Sequence, residues 1–230
     1  MNIAVITGGS RGLGLELARS LAADGWGVVI DGRDADAVRD AASAIGGAVH
    51  GVPGDVADVA HRSELIAAAT ELGDLTLLVN NASVLGPSPQ PALATYPLDV
   101  LARVYEVNVV APLGLIQVAL PALRRNHGTI VDVTSDAGVE GYPGWGGYGS
   151  SKAALEQLSN VLAAEEPGVR VYWFDPGDMQ TRMHQEAFPS EDISDRPLPA
   201  TVVPALRRLV DAAPPSGRYT AATVPAGVTP

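Results

Sequence analysis

The chain opens with Ile3-Ala-Val-Ile-Thr-Gly-Gly-Ser-Arg-Gly-Leu-Gly14, an apolar run followed at once by a glycine-rich turn. The apolar run predicts a buried strand, and the residues after Gly12 predict an amphipathic helix. Glycines at such a turn let the backbone bend tightly and approach a pyrophosphate, while the helix N-terminus supplies N–H donors and a positive dipole. A glycine-rich turn without a ligand is the alternative, and the position directly after the first strand disfavours it.

Short apolar segments alternate with helix-length segments along the rest of the chain. Continuous apolar strands are typical of a sheet covered on both faces, and the alternation implies right-handed crossovers. We therefore predict an α/β fold of Rossmann-like type, a doubly wound parallel sheet of about seven strands in a single domain over residues 1–230. The predicted strands are 3–6, 27–31, 48–52, 75–79, 129–134, 169–175 and 218–221. The predicted helices are 12–24, 35–45, 58–72, 98–125, 147–165 and 200–211.

Composition limits the class of protein. The 230 residues are 47% hydrophobic, with a mean hydropathy of +0.15, which favours one domain with a full core over disorder. The absence of cysteine excludes a disulfide framework and a cysteine-ligated metal site, and it is compatible with a reducing cytoplasm. The four histidines lack ligand spacing, so we expect no metal site and assign them surface or structural roles.

Charge and hydropathy also limit the partners. The formal net charge of −11 disfavours nucleic acid and anionic lipid, although a local basic pocket for a phosphate is compatible with it. No uninterrupted run approaches the roughly 18 apolar residues of a membrane span. We predict no signal peptide, because neither a basic nor an apolar leader segment is found ahead of the strand that begins at Ile3. We expect a cytoplasmic protein that does not bind a membrane.

Three segments depart from the regular alternation. Segment 178–199 is polar, contains proline and is predicted to leave the top of the sheet as a lid over a substrate. An insertion that packs statically against the sheet explains the same segment equally well. Segment 141–149 is rich in glycine and aromatic residues. The tail from Pro214 is rich in proline, glycine and alanine, and it is predicted to pack irregularly.

Ser135, Tyr148 and Lys152 carry the chemical argument. Tyr148 and Lys152 lie four residues apart on a predicted helix and share one face, and Ser135 follows the strand 129–134. A free tyrosine titrates near ~10, and a nearby ammonium favours the phenolate and lowers the phenol pKa. A serine hydroxyl beside them is able to hydrogen-bond a carbonyl or alkoxide oxygen. Together they predict a proton donor or acceptor placed over a nicotinamide carbon.

Polar residues follow the second, third and fourth strands, where doubly wound folds bind ligands. Asp55 and the pair Asn80-Asn81 are, taken singly, better explained as helix caps or turn formers. After the second strand, Asp31 argues for NAD, because an acidic residue there binds a ribose hydroxyl. Arg33, together with Arg11 in the glycine-rich turn, argues for NADP. Alternation along the strand allows only one of Asp31 and Gly32 to face the ribose.

Together these motifs resemble the short-chain dehydrogenase/reductase family, in its short single-domain form, over nearly the whole chain. Residues 7–14 are similar to its Thr-Gly-x-x-x-Gly-x-Gly turn, and Asn80-Asn81-Ala82 is similar to its Asn-Asn-Ala-Gly motif, with Ser83 in place of the glycine. Residues 176–181 are similar to its Pro-Gly-x-x-x-Thr element. The region after Ala212 has no match. The catalytic tetrad that the resemblance implies is Asn108, Ser135, Tyr148 and Lys152. The implied cofactor-binding residues are Gly8, Ser10, Arg11, Gly12, Leu13, Gly14, Arg33, Asp55, Val56, Asn80, Asn81, Ala82, Tyr148, Lys152, Pro176, Gly177 and Thr181.

The resemblance implies an NADP-dependent oxidoreductase that interconverts a ketone or aldehyde and an alcohol, as a homodimer or homotetramer. The family's NAD-selecting acidic position falls on Gly32, so NADP is expected in preference to NAD. Tyr148 would transfer the proton, Lys152 would lower its pKa and bind the nicotinamide ribose, and Ser135 would orient the substrate oxygen. Asn108, which taken alone is better explained as a satisfied core amide, would hold a water that links Lys152 to solvent. The expected substrate contacts are Val84, Ala137, Tyr142, Trp145, Met179, Met183 and His184.

Two alternatives have different consequences. A catalytically idle NADP-binding sensor would need neither Tyr148 nor Lys152, so the intact tetrad argues against it. A sugar-nucleotide epimerase or dehydratase of the extended branch of the family is disfavoured by the spacing of the turn and by the absence of a C-terminal substrate domain in this sequence.

Overall fold

A seven-stranded parallel sheet with the order β3-β2-β1-β4-β5-β6-β7 forms the centre of the fold. This computed structural model describes residues 1–224, and the end of the proline-rich tail, 225–230, lies outside the described residues. The strands are β1 Asn2–Ile6, β2 Gly27–Gly32, β3 Val49–Pro53, β4 Asp74–Asn80, β5 Thr129–Val133, β6 Arg170–Asp175 and β7 Gly217–Thr220. The helices are α1 Gly12–Ala23, α2 Ala35–Ile45, α3 Val59–Leu72, α4 Leu98–Tyr105, α5 Ala111–Arg125, α6 Gly146–Glu165, α7 Arg182–Ala187 and α8 Pro199–Ala212. The predicted doubly wound α/β fold is confirmed.

The core lies in two layers, one on each face of the sheet. Ala4 and Ile6 point from β1 into the layer formed with α1, α2 and α8. Ile3 and Val5 point to the opposite face, where they pack with α3 and α5. Successive side chains of a strand alternate between the faces, so a strand buried on both sides must be apolar throughout. This explains why the central strands read as uninterrupted apolar runs.

The strand order reverses between β1 and β4, which are hydrogen-bonded neighbours on either side of the reversal. The connections from these two strands leave in opposite directions, so a crevice opens outside their carboxyl ends. The glycine-rich turn of residues 7–14, called the glycine turn below, lies at this crevice because it links β1 to α1.

The predicted helix 98–125 is interrupted in the structure. A π-helical turn, Glu106–Val110, separates α4 from α5, and it contains Asn108. The π-helical turn was not predicted, because the apolar periodicity of the sequence runs through both helices without a break. The stretch Leu98–Arg125 is also long and apolar enough to qualify as a membrane span, which a search for uninterrupted apolar runs missed. However, 56% of the qualifying window is buried in the fold, as in a core helix.

The segment 178–199 contains a short helix, α7, that the sequence did not predict. Thr181 caps it, because its side chain accepts a hydrogen bond from the backbone N–H of His184 at 3.2 Å. Six residues are too few for a helical apolar period to be recognised. The other predicted boundaries lie within two residues of those observed.

Candidate active site

A cavity of about 960 Å³ runs along the carboxyl edge of the sheet, from the glycine turn to α7. It brings together most of the residues predicted for cofactor, substrate and catalysis. Those that line it are Gly8, Ser10, Arg11, Gly12, Leu13, Arg33, Asp55, Val56, Asn81, Ala82, Val84, Ser135, Trp145, Tyr148, Lys152, Pro176, Gly177, Met179, Thr181, Met183 and His184. Those that do not line it are Gly14, Asn80, Asn108, Ala137 and Tyr142.

The glycine turn is held by the end of β4. The Asn81 side chain donates to the carbonyl oxygens of Thr7 at 2.8 Å and Gly8 at 3.2 Å. Gly8 has a φ of +65°, a conformation that favours glycine. A Cβ at Gly14 would lie 2.7 Å from both the Gly8 oxygen and the Asn81 amide, so Gly14 permits the close approach of α1. The turn therefore leaves backbone and a helix N-terminus facing the cavity, which fits the pyrophosphate of a dinucleotide.

Asp31 is buried and both of its carboxylate oxygens are engaged. Oδ1 accepts from the Gly8 N–H at 2.6 Å, and Oδ2 lies 3.1 Å from Nε2 of the buried His61 on α3. Burial raises the pKa of Asp31, while these hydrogen bonds act in the opposite direction. Asp31 is thus buried and already engaged on both oxygens, which disfavours it as the acceptor for a ribose hydroxyl. The sequence predicted only a surface or structural role for His61, and the structure makes it the buried partner of Asp31.

Arginines and carboxylates share this end of the cavity, which is lined by Arg11, Arg33, Asp34 and Asp55. Arg33 is exposed at the end of β2, and the Arg11 guanidinium lies 4.0 Å from Asp34. A Cβ at Gly32 would lie 3.0 Å from Ser10 Oγ, so the side-chain position of Gly32 points towards Ser10 of the glycine turn. Arg103 on α4, which the sequence analysis did not identify, lines the same cavity and pairs with Asp55.

Asn108 uses its whole hydrogen-bonding capacity within the protein. Its amide donates to Val84 O at 2.9 Å and to Ser151 Oγ at 3.0 Å. Its Oδ1 accepts from Val84 N at 2.9 Å and from Ser83 Oγ at 3.1 Å. The side chain therefore joins the chain after β4 to α6, and it has no capacity left for the water that the resemblance implied. Ser83, in place of the family's glycine, contributes one of these bonds.

Asn80 also serves the protein interior. Its amide donates at 2.7 Å to Asp132, a fully buried carboxylate on β5 that accepts from Ser159 Oγ at 2.7 Å as well. Burial raises the pKa of Asp132, and the two hydrogen bonds oppose this. Asn80 thus supports the sheet beneath the site, and its cofactor-binding role is not supported by any contact with the cavity.

Ser135, Tyr148 and Lys152 converge at the other end of the cavity. Lys152, the only lysine of the chain, lies with Nζ 5.4 Å from the centre of the Tyr148 ring and donates to Val133 O at 2.8 Å. The Ser83 and Ser135 hydroxyls act to lower the pKa of Tyr148. Ser135 Oγ accepts from Ala137 N at 3.2 Å and donates to Asp136 Oδ1 at 3.0 Å. Asp136 is a further site residue that the sequence analysis missed.

Burial controls the charge states of this group. It raises the pKa of Tyr148 above the ordinary phenol value, and the Asp175 and Asp136 carboxylates act in the same direction. It lowers the pKa of Lys152 to about 8, against the opposing effect of Asp132 and Glu156. The sequence predicted that Lys152 lowers the pKa of Tyr148, whereas in this arrangement burial and the two carboxylates raise it. Tyr148 is held as a neutral phenol, which is a proton donor.

Apolar side chains close the cavity beyond Tyr148. Trp145 stands edge-on to Tyr148 at 5.8 Å, and Met183 packs on the cluster formed by Tyr148 and Leu85. Ala137 lies in this cluster behind Tyr148, and Tyr142 is 44% exposed and donates to Asp136 Oδ2 at 3.0 Å. Neither contacts the cavity, so both differ from the predicted substrate contacts.

The segment 178–199 is folded against the open side of the cavity. Gln180 N donates to Pro197 O at 2.8 Å, which closes the segment on itself. Ser88 Oγ donates to Glu186 O at 2.6 Å, and the Phe188 ring lies 5.8 Å from Trp145. His184 turns Nδ1 towards Asp178 at 3.7 Å.

A family model and several known proteins are similar to this chain over most of its length. The family model described as short chain dehydrogenase matches residues 2–192. A rhamnolipid-biosynthesis 3-oxoacyl-(acyl-carrier-protein) reductase of Pseudomonas aeruginosa is 38% identical over 193 residues, which cover 79% of this chain and 74% of that protein. A diacetyl reductase of Staphylococcus aureus that forms (S)-acetoin is 35% identical over 194 residues, which cover 79% and 72%.

Solved structures share the fold over nearly the whole chain. A short chain dehydrogenase of Shigella flexneri complexed with NADP superposes with a TM-score of 0.89 at 29% identity, covering 96% of this chain and 97% of that one. A short chain dehydrogenase of Escherichia coli complexed with NADPH gives a TM-score of 0.88 at 30% identity, covering 96% of each chain.

Proposed function

The chain belongs to the short chain dehydrogenase family, and on this premise we propose that it is an NADP-dependent oxidoreductase that interconverts a ketone or aldehyde and the corresponding alcohol. One observation carries the proposal. A continuous cavity joins the glycine turn, which fits a pyrophosphate, to the buried group of Ser135, Tyr148 and Lys152. Proton transfer and dinucleotide binding thereby share one space, which a binding protein without catalysis would not require.

Tyr148 is the proposed proton donor for reduction. NADPH, when bound, supplies a hydride to the carbonyl carbon. The phenol of Tyr148, kept neutral by burial, gives its proton to the carbonyl oxygen, which becomes the alcohol oxygen. Ser135 Oγ, fixed by Ala137 N, orients that oxygen. The Lys152 ammonium, held by Val133 O, offsets the phenolate charge that remains on Tyr148.

The charged residues at the far end of the cavity support NADP as the cofactor. Arg11 and Arg33 are available to a 2′-phosphate, and Asp31 is occupied by Gly8 and His61. The similar structures with NADP or NADPH bound agree with this choice. At the substrate end, Trp145 and Met183 favour a carbonyl compound with an apolar flank.

The test is NADPH oxidation by the purified protein with a panel of carbonyl compounds: diacetyl, 4-nitrobenzaldehyde and the N-acetylcysteamine thioester of acetoacetate. For each compound, the rate of NADPH oxidation is compared with the rate of NADH oxidation. Tyr148→Phe removes the proton donor and keeps the ring, so we expect turnover to fall at least ~10²-fold with NADPH affinity unchanged. Tyr148→Phe with near-normal turnover would contradict the role of Tyr148.

A catalytically idle NADP-binding sensor is the second candidate function. The observation in its favour is that the side chains of Asn80 and Asn108 bond to the protein interior and do not line the cavity. This candidate predicts tight NADPH binding without turnover of any carbonyl in the panel. We also propose a cytoplasmic homodimer or homotetramer with a small-molecule substrate, as the family resemblance implies. Light scattering of the purified protein measures the assembly, and a monomer at micromolar concentration would contradict that part.

A further inference from the structure

Arg218 on β7 contacts three residues behind the group of Ser135, Tyr148 and Lys152. Its Nε lies 3.1 Å from Glu156 Oε1 on α6, and its Nη2 lies 3.1 Å from Asp175 Oδ2 at the end of β6. Nη2 also donates to the backbone oxygen of Ser135 at 3.3 Å. The Glu156 and Asp175 side chains are only 12% and 9% exposed, so this is a largely desolvated ion cluster.

Each contact of Arg218 reaches an element that carries part of the site. Ser135 bears the catalytic hydroxyl. Glu156 follows Lys152 by one helical turn and also accepts from Thr134 Oγ1 at 2.7 Å. Asp175 precedes Pro176-Gly177 and accepts from Gly177 N at 2.9 Å. A single guanidinium, which does not itself line the cavity, therefore fixes the ends of β5 and β6 to α6.

Arg218 is also the cation for two carboxylates near the proton-transferring groups. The charged and titratable groups around Tyr148 are Lys152 and Glu156 on α6, Asp132 on β5, Asp136 after β5, Asp175 on β6, Asp178 and His184 near α7, and Arg218 on β7. Asp175 raises the pKa of Tyr148 in addition to the larger effect of burial. Removal of one partner of a buried ion pair leaves the other charge without compensation.

We propose that Arg218 is a positioning residue for the oxidoreductase reaction, which holds Ser135 and the Pro176-Gly177 turn in place and neutralises Asp175 and Glu156 beside Tyr148 and Lys152. This rests on the proposed function. The region after Ala212 therefore completes the site, although none of its described residues lines the cavity.

The first test is Arg218→Met, assayed in both directions with 4-nitrobenzaldehyde and NADPH, and with 4-nitrobenzyl alcohol and NADP. Alcohol oxidation needs the Tyr148 phenolate, and an uncompensated Asp175 disfavours it. We expect the rising limb of the oxidation pH profile to move up by about one unit. We expect kcat to fall about 10- to 100-fold through misplacement of Ser135, with the Kd for NADPH within about threefold of wild type.

Further variants separate charge from position. The double variant Arg218→Met, Asp175→Asn removes both charges. The rising part of its oxidation pH profile should return towards wild type, while kcat stays low. Arg218→Lys keeps the positive charge but loses the planar guanidinium with its several donors. We therefore expect the pH profile of alcohol oxidation to return towards wild type more fully than kcat does. Arg124→Met removes another arginine of an ion pair, with Glu166, far from Tyr148 in the fold, and should change neither.

A readout without turnover completes the design. Amide exchange of Gly177 and Gly138 should quicken in Arg218→Met, because Gly177 N donates to Asp175 and Gly138 N donates to Ser135 O. If Arg218→Met does not fold, Arg218→Lys and Asp175→Asn carry the test. The proposal is overturned if the folded Arg218 variants keep the wild-type limb, kcat and amide exchange. Tyr148→Phe with full turnover would instead overturn the proposed function.

Discussion

Lys152 illustrates at the scale of one residue how the site uses burial. The side chain is 2% exposed, and its pKa is lowered to about 8 because the ammonium has lost its hydration. An unfolded lysine titrates near ~10.4, so the folded state binds its proton less strongly. The buried ammonium therefore destabilises the folded state fully below about pH 8. This destabilisation fades as the pH rises from there towards the pKa of lysine in the unfolded chain.

We predict that Lys152→Met stabilises the fold and abolishes turnover. Removal of the buried charge should contribute on the order of 3 kcal/mol, offset by about 1 kcal/mol for the lost bond to Val133 O, which raises Tm by roughly 4–8 °C at pH 7. The gain over wild type should shrink between about pH 8 and pH 10, measured by thermal melts across that range. A variant that is less stable than wild type at pH 7 would contradict the electrostatic cost.

A second residue-scale prediction concerns cofactor choice. Arg33→Ala should weaken NADPH binding by ~10-fold or more, because a charge-assisted contact contributes about 1.5–3 kcal/mol, while NADH binding changes little. Isothermal titration with both cofactors measures this. Arg39→Ala is the matched control, since Arg39 is an exposed arginine of the following helix that pairs with Asp36. If wild type binds NADH more tightly than NADPH, Asp31 selects the cofactor despite its contacts with Gly8 and His61.

At the scale of elements, the segment that contains α7 differs from the strands around it. The Ser88–Glu186 bond and the Phe188–Trp145 pair hold it against the rest of the protein, while the Thr181 cap and the Gln180–Pro197 bond lie within the segment itself. A segment held in this way is at the low-stability end of a fold and is able to order over a ligand. The static alternative keeps the same contacts with and without ligand.

The lid hypothesis predicts that amide exchange over residues 179–188 slows when NADP and a substrate analogue bind, while β5 barely changes. Hydrogen-exchange mass spectrometry of the free and ligated protein measures both in one sample. Met183→Ala should change the preference among carbonyl substrates more than the Kd for NADPH, because Met183 packs beside Tyr148. Equal exchange with saturating ligands would identify a static insertion.

Elements were predictable from the sequence where the pattern was local. The apolar run before the glycine turn and the apolar strands predicted β1 to β7 within two residues. The tetrad spacing predicted Ser135, Tyr148 and Lys152 as one group, and the structure brings them together along the cavity. The π-helical turn was hidden because apolar periodicity continues through it. Asp31–His61 and Arg218–Ser135 join residues 30 and 83 positions apart, and no local pattern specifies such pairs. Asn80 and Asn108 matched motifs, yet their contacts are with the interior.

The cavity proposed for the cofactor extends across both halves of the sheet, from Arg33 after β2 to Thr181 before α7. A ligand that contacts both halves binds the folded chain and not the unfolded one, so it shifts the unfolding equilibrium. A preference for one cofactor should therefore be measurable as a larger stabilisation of the whole fold by that cofactor.

We predict that NADPH at 100 times its Kd raises Tm by roughly 5–10 °C, since such binding contributes about 2.7 kcal/mol and a domain of this size shifts about 2–4 °C per kcal/mol. NADH at the same concentration should give a smaller shift. Differential scanning fluorimetry measures both, and Tyr148→Phe should retain the full shift. Equal shifts with the two cofactors would contradict NADP selection.

The surface cations of this protein are arginines, since Lys152 is the only lysine in the 230 residues. Guanidinium groups do not acylate under mild conditions, and the buried amine with a pKa of about 8 is partly in its nucleophilic free-base form near neutrality. An amine-selective reagent therefore meets one side-chain target, and that target lies in the reaction cavity. Lys152 is therefore a single side-chain amine for covalent modification inside the proposed active-site cavity, and the α-amine of Met1 is the other amine that the reagent meets.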